Sequence, residues 1–126
     1  MGFRIVTLEG RSALLALRGH PGPRVGPYGV NLEGIERVAL PALRRAAREG
    51  WLVVVDEIGK MELLCPAFFS TIWEILEEGH RVLGTVLAAS HPQADRIKAL
   101  PGLELLFLHR GIWESARAEV LRWLRG

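Results

Sequence analysis

Apolar and polar positions alternate at the start of the chain: Phe3, Ile5 and Thr7 fall on one face, and Arg4, Val6 and Leu8 on the other. Glu9-Gly10 supplies a turn, and a second apolar run follows from Ser12 to Leu17. The pattern predicts a β-hairpin over residues 3–18. Glycines and prolines punctuate GHPGPRVGPYG, residues 19–29, which predicts a loop. Pro41 can open a helix, Leu43, Ala46 and Ala47 give it an apolar stripe, and Gly50 ends it. Trp51 to Val55 is a continuous apolar run without alternation, which predicts a strand buried on both faces. Pro66 starts a second helix, with Phe68, Phe69, Ile72, Ile75 and Leu76 at helical spacing and Gly79 at its end. Residues 81–88, RVLGTVLA, predict another strand. Ser90 can cap a short helix reaching Leu100, which Pro101-Gly102 breaks. LELLFLH, residues 103–109, predicts a third buried strand. A last helix runs from Ile112 to Leu124, with Ile112, Ala116, Val120 and Leu124 on one side.

From residue 39 onward helices and strands alternate. That order implies right-handed crossovers and a mostly parallel sheet. The expectation is an α/β layered domain with a small antiparallel hairpin in front, forming a single domain over residues 1–126. No internal repeat or low-complexity segment interrupts it.

Composition narrows the classes. Apolar residues make up 49% of the 126 positions and charged ones 24%, the range of a globular chain with a real core. The single cysteine, Cys65, excludes an internal disulfide framework and suits a reducing compartment. MGFRIVTLEG lacks the basic head and apolar run of a signal peptide, and Val6 stands where myristoylation needs Ser or Thr. The apolar, uncharged stretch LLCPAFFSTIW is too short to span a bilayer and contains Pro66. A cytoplasmic chain without a membrane segment is expected. The net charge of +2 does not by itself mark a nucleic-acid partner. Basic side chains are nearly all arginine, and Asn31 and Gln93 are the only amides. A thermophilic source and a GC-rich genome both produce that bias.

The chemical question lies in WLVVVDEIGKMELL, residues 51–64. Two adjacent carboxylates, Asp56 and Glu57, follow an apolar strand directly. In an open parallel sheet, ligands bind outside the carboxyl ends of the strands. An apolar strand ending in Asp has the shape of a Walker B motif, whose aspartate helps hold Mg²⁺ against nucleotide phosphates. The neighbouring carboxylate could take a proton from water. A plainer reading stands beside this one: buried strands often end in an acidic residue because the chain is leaving the core. Two like charges side by side repel. Lys60 or an arginine could relieve that as well as a metal could.

The wider segment decides more. VVVDEIGKMEL, a helix containing Phe68-Phe69, and RVLGTV together resemble the P-loop nucleoside-triphosphatase family found in thermophilic prokaryotes and, in vertebrates, as the cancer-related nucleoside-triphosphatase. GFRIVTLEGRSALLAL resembles that family's hairpin, RVGPYGVNLEGIERVALPAL its following segment, and LELLFLHRG its last strand and Asn-Arg turn. The resemblance covers nearly the whole chain. It implies a P-loop-type sheet and Mg²⁺-dependent hydrolysis of ATP, GTP and related triphosphates. It further implies that Asp56 acts on Mg²⁺, that Glu57 activates the attacking water, and that Arg110 lies near the nucleotide. Lys60 and Glu62 fall in the same motif without an assigned role.

The chain also departs from the family pattern. No G-x-x-x-x-G-K-[ST] occurs: Gly59-Lys60 is followed by Met61, and Val54 stands where the first glycine belongs. The loop at residues 19–29 has glycines but no lysine. The family's first P-loop strand and helix are therefore expected to be absent, leaving apolar strand edges unpaired. Three explanations are open: a fragment or late start, a partner chain that completes the sheet, or a degenerate, non-catalytic module that self-associates. His109 replaces the family's asparagine before Arg110.

Other residues read as structure. Cys65 at a helix start is a small buried apolar residue rather than a nucleophile. His20, His80, His91 and His109 show no zinc-ligand spacing. Arg44, Arg45 and Arg48 form a solvated face rather than a nucleic-acid surface, since no aromatic interleaves them. Trp51, Trp73, Trp113 and Trp123 pack rather than stack on bases.

Overall fold

A computed structural model describes residues Met1–Gly126. Strands β1 (Gly2–Val6), β2 (Ser12–Arg18), β3 (Arg24–Val25) and β4 (Tyr28–Val30) form one antiparallel sheet in the order β1-β2-β4-β3. The expected hairpin is β1–β2, paired from Val6 opposite Ser12 to Gly2 opposite Leu17, with a register shift between Phe3 and Arg4. The segment expected to be only a loop folds back as a second, shorter hairpin. Gly26 turns it at φ +57, a left-handed value that favours glycine.

Helical residues begin at Leu32, well before Pro41. They run as α1 (Leu32–Gly34), a π-turn (Ile35–Ala39) and α2 (Leu40–Arg48). A proline inside a helix removes an N–H and orphans a carbonyl one turn back. Here the Arg37 carbonyl accepts from the Arg11 guanidinium of the hairpin at 3.3 Å, and the π-turn absorbs the mismatch ahead of Pro41. A reading based on proline as a helix opener cannot see that rescue, because Arg11 is remote in sequence. The hairpin is tied down again where Arg45 on α2 meets Glu9 at 2.7 Å.

Strand β5 (Val53–Ile58) follows, then a 3₁₀ turn (Glu62–Leu64), α3 (Pro66–Glu77), β6 (Val82–Val86) and α4 (Pro92–Lys98). Pro66 does open α3, which buries Phe68, Phe69, Ile72 and Ile75. Gly79, at φ +81, closes it in the left-handed conformation, and its N–H donates to the Leu76 carbonyl at 3.1 Å. His91 rather than Ser90 caps α4: its Nδ1 accepts from the Gln93 and Ala94 amides. Ser90 instead donates to Asp95 at 2.9 Å.

β5 and β6 are parallel and make a two-stranded sheet of their own. The expected α/β layering is present. The sheet that follows residue 39 is parallel as expected but has only two strands, and the antiparallel part in front of it has four strands rather than one hairpin. Two further expectations fail for a shared reason. Residues 103–109 form no strand, and Phe107 is 73% exposed. β5 is buried on one face only, with Val54 52% exposed. An apolar run becomes a strand only when a neighbour pairs with its backbone, and none within these residues lies alongside 103–109. The chain ends in a 3₁₀ turn (Arg110–Ile112) and α5 (Trp113–Arg125), which buries Ala116 alone of its predicted apolar side.

The core lies where α3 and α2 cover Val53, Val55 and Ile58 of β5, and it extends to Leu15, Ala16 and Val30 of the antiparallel sheet. Each fully buried Ile or Phe stabilises by roughly 1.5–3 kcal/mol. Ile72→Ala, at a side chain 1% exposed, is expected to cost about 2–5 kcal/mol in a denaturant melt. Val54→Ala on the uncovered face should cost less than about 1 kcal/mol. Equal losses at both positions would show that the Val54 face is covered.

Candidate functional site

The register between β5 and β6 slips at one place. Val55 pairs with Gly84 and Ile58 with Val86, so Asp56 and Glu57 oppose Thr85 alone. A bulge of this kind re-aims side chains at a sheet edge. The sequence placed the two carboxylates just past the strand. In the structure they lie inside it, near its carboxyl end, and the peptide bond between them is cis. Both are exposed. Val54 and Asp56, two apart on the strand, share the uncovered face.

Asp56 is held from β6: the Thr85 hydroxyl donates to its Oδ1 at 2.6 Å. Glu57 has no hydrogen-bond partner among the protein's side chains or amides. Gly59, buried next to the strand end, lets a third carboxylate approach. A Cβ there would sit 3.0 Å from Glu62 Oε1 and 3.1 Å from Glu57 Oε1. Both carboxylates thus converge on the space that glycine leaves free. Glu62 is pushed above the ordinary carboxylate value of 4.5, first by burial and then by the charges of Glu57 and Asp56. Hydrogen bonds from the backbone at Glu62 and Gly59 oppose the rise without cancelling it.

No protein cation relieves this charge. Lys60 is exposed and makes no ion pair, and the four ion pairs of the chain leave Asp56, Glu57 and Glu62 untouched. The alternative in which Lys60 or an arginine neutralises the pair finds no support in the geometry. No three acidic, histidine or cysteine side chains converge closely enough to form a metal cage. The donor set is open: one anchored carboxylate, one free carboxylate and a hydroxyl. That fits Mg²⁺, which keeps waters and takes one or two carboxylates together with substrate phosphates. It does not fit a metal held by protein alone.

The main cavities lie elsewhere. One, of about 310 Å³, is lined by Arg44, Arg48, Thr71, Glu74, Glu78 and His80 between α2 and α3. The other sits between the hairpin tip and α2.

Arg110 is exposed, and no hydrogen bond or ion pair joins it to Asp56 or Glu57. Its turn is nonetheless shaped: His109 Nδ1 accepts from the Gly111 amide at 3.3 Å and caps the 3₁₀ turn. An asparagine caps a helical turn through the same acceptor chemistry, so His109 preserves the turn if not the side chain. The clustered Arg44, Arg45 and Arg48 are all exposed, and two of them are tied to the fold. Arg44 donates to Thr71 at 3.1 Å, and Arg45 pairs with Glu9 and lies 5.3 Å from the Trp51 ring centre. Cys65 is buried. The sequence reading left Glu62 without a role and passed over Thr85. The recurrence of acid at Asp56, Glu57 and Glu62 was a signal for the first; nothing local marks the second.

The fold is of the α/β class, and its carboxylate pair lies at the carboxyl end of a parallel strand, where open α/β sheets bind ligands. Comparison with known proteins identifies the family. The family model described as NTPase matches residues 1–121. The nucleoside-triphosphatase THEP1 of Thermotoga petrophila is 39% identical over 126 residues, covering 99% of this chain and 70% of that protein. THEP1 of Methanosarcina acetivorans is 40% identical over 112 residues, covering 87% of this chain and 62% of that protein. Among solved structures, THEP1 from Aquifex aeolicus superposes with a TM-score of 0.91 at 32% identity, over 99% of this chain and 77% of that one. A human cancer-related nucleoside triphosphatase superposes at 0.79 with 28% identity, over 98% and 73%. The chain belongs to this NTPase family.

Because the folded state raises the pKa of Glu62, the native protein keeps that proton to higher pH than the unfolded chain does. Stability is therefore present below 4.5 and is lost as pH rises from there through the raised value. Glu62→Gln should melt at about the wild-type temperature at pH 4 and above it at pH 7. A difference that does not change with pH would remove the burial of this charge as a factor.

Proposed function

We propose that this chain is a nucleoside-triphosphate phosphohydrolase domain that converts ATP or GTP to the diphosphate and phosphate with Mg²⁺. One observation carries the reading: in a chain of the NTPase family, Asp56 and Glu57 stand exposed at a strand end with no protein cation to neutralise them. A divalent ion bearing a triphosphate tail relieves that repulsion.

Asp56, anchored by Thr85, would hold the ion through its free oxygen or through water. When bound, Mg²⁺ neutralises the charge that develops on the phosphate oxygens. Glu57, free of partners, accepts the proton of the attacking water. The water oxygen bonds to the γ-phosphorus, the bond from that phosphorus to the bridging oxygen breaks, and the diphosphate leaves with the electron pair. Glu62 lies beside Glu57 across the space that Gly59 leaves free. Arg110, on a turn capped by His109, would bind the nucleotide.

These 126 residues contain no glycine-rich loop with Lys-Ser or Lys-Thr to cradle phosphates, so turnover by them alone should be weak. A second reading has its own support. Val54 on the uncovered face of β5 and Leu105 to Leu108, outside any strand, are exposed apolar positions, which suits a non-catalytic module that self-associates or takes a partner completing the sheet. No helix of the chain is long and apolar enough to cross a membrane.

Phosphate release from ATP and GTP with Mg²⁺ separates the two readings. Glu57→Gln is expected to lower turnover by roughly 100-fold or more, the usual size of a general-base contribution. Equal rates would remove Glu57 from the mechanism. No heat with millimolar Mg²⁺-nucleotide in calorimetry, together with a concentration-dependent dimer, would favour the assembly module.

A further inference from the structure

The Thr85–Asp56 contact joins two strands at the one place where their register slips. At 2.6 Å it falls in the range of a hydroxyl donating to an ionised carboxylate, about 2.5–2.7 Å. Thr85 is exposed, as is Asp56, so the bond is not forced by burial. Nor does it continue the ladder, since the bulge has already removed the local backbone pairing. Its effect is on the carboxylate. Asp56 has two rotatable bonds to its oxygens, and an exposed aspartate without a partner samples several rotamers. With Oδ1 committed to Thr85, the side chain holds one orientation, and Oδ2 makes no hydrogen bond within the protein. Glu57, its neighbour, has no such tether. The two carboxylates therefore differ in mobility although they are adjacent in sequence.

We propose that Thr85 is a positioning residue that pre-orients Asp56 for a divalent cation carried on a nucleoside triphosphate. This deepens the proposed function and rests on Asp56 as the ligand. The hydroxyl proton occupies one lone pair of Oδ1 and leaves the other oxygen for the ion or its water. Orientation is established before binding, so the ordering cost does not fall on the ligand. A valine at 85 matches threonine in shape and strand propensity and lacks the donor. A serine keeps the donor. These two variants separate the hydroxyl from the fold.

The test is calorimetric, with MgATP and, separately, ATP in EDTA. It compares wild type, Thr85→Val, Thr85→Ser, Asp56→Asn and the double variant Asp56→Asn/Thr85→Val, each checked for an unchanged thermal melt. Thr85→Val is expected to raise the Kd for MgATP about 10-fold, the low end for a group supporting a metal ligand, and to leave metal-free ATP binding unchanged. Thr85→Ser should recover most of the loss. In the double variant the Thr85 effect should vanish, because Thr85 acts through Asp56. If Asp56→Asn weakens MgATP but Thr85→Val does not, or if the two effects simply add, the positioning role is overturned while the metal reading of Asp56 stands. If Asp56→Asn leaves MgATP binding unchanged, or wild type binds no MgATP, the parent reading fails and this inference with it.

Discussion

Three carboxylates, Asp56, Glu57 and Glu62, crowd the end of β5 with no basic side chain among them. In water such charges would drift apart. Here the backbone prevents it: Ile58 is anchored in the core, Gly59 is buried behind it, and the 3₁₀ turn carries Glu62 back toward Glu57. The pKa of Glu62 is raised first by its burial and then by the charges of Glu57 and Asp56. The rest of the molecule can be understood as the packing that holds these charges in place. α3 and α2 bury the opposite side of β5, and their apolar burial opposes the repulsion.

That division gives β5 two unlike faces. Val53, Val55 and Ile58 anchor the strand, while Val54 and Asp56 face outward. The same openness that leaves Asp56 available leaves apolar surface exposed, at Val54 and again along residues 105–108. Contiguous exposed apolar positions mark surfaces that another element or partner can cover. A nucleotide site built on a parallel sheet depends on what lies beside the strand as well as on what the strand carries.

Cross-strand ties do the positioning in this molecule. Thr85 reaches from β6 to Asp56, Arg11 reaches from the hairpin to a carbonyl freed by Pro41, and Arg45 reaches back to Glu9. His109 does something similar at short range, taking the capping role of an asparagine through a ring nitrogen. Arg11 and His109 satisfy backbone groups that lack a main-chain partner, whereas Thr85 and Arg45 each fix a carboxylate.

Local pattern determined the hairpin, the start of α3 at Pro66 and its end at Gly79, and the acidic end of β5. Alternation, proline and glycine act within a few residues and need no tertiary context. It also carried the family, because VVVDEIGKMEL combines a strand, a carboxylate pair and a turn in one short segment. The tertiary structure decided the rest. LELLFLH reads as a strand by composition, yet a strand exists only with a neighbour to receive its hydrogen bonds. Trp51 to Val55 reads as buried on both faces, yet burial is set by the elements that pack against it. Pro41 reads as a helix start, yet a remote arginine lets the helix pass through it. Thr85 was invisible for the same reason: its partner lies 29 positions away in the chain, and only the fold brings the two together.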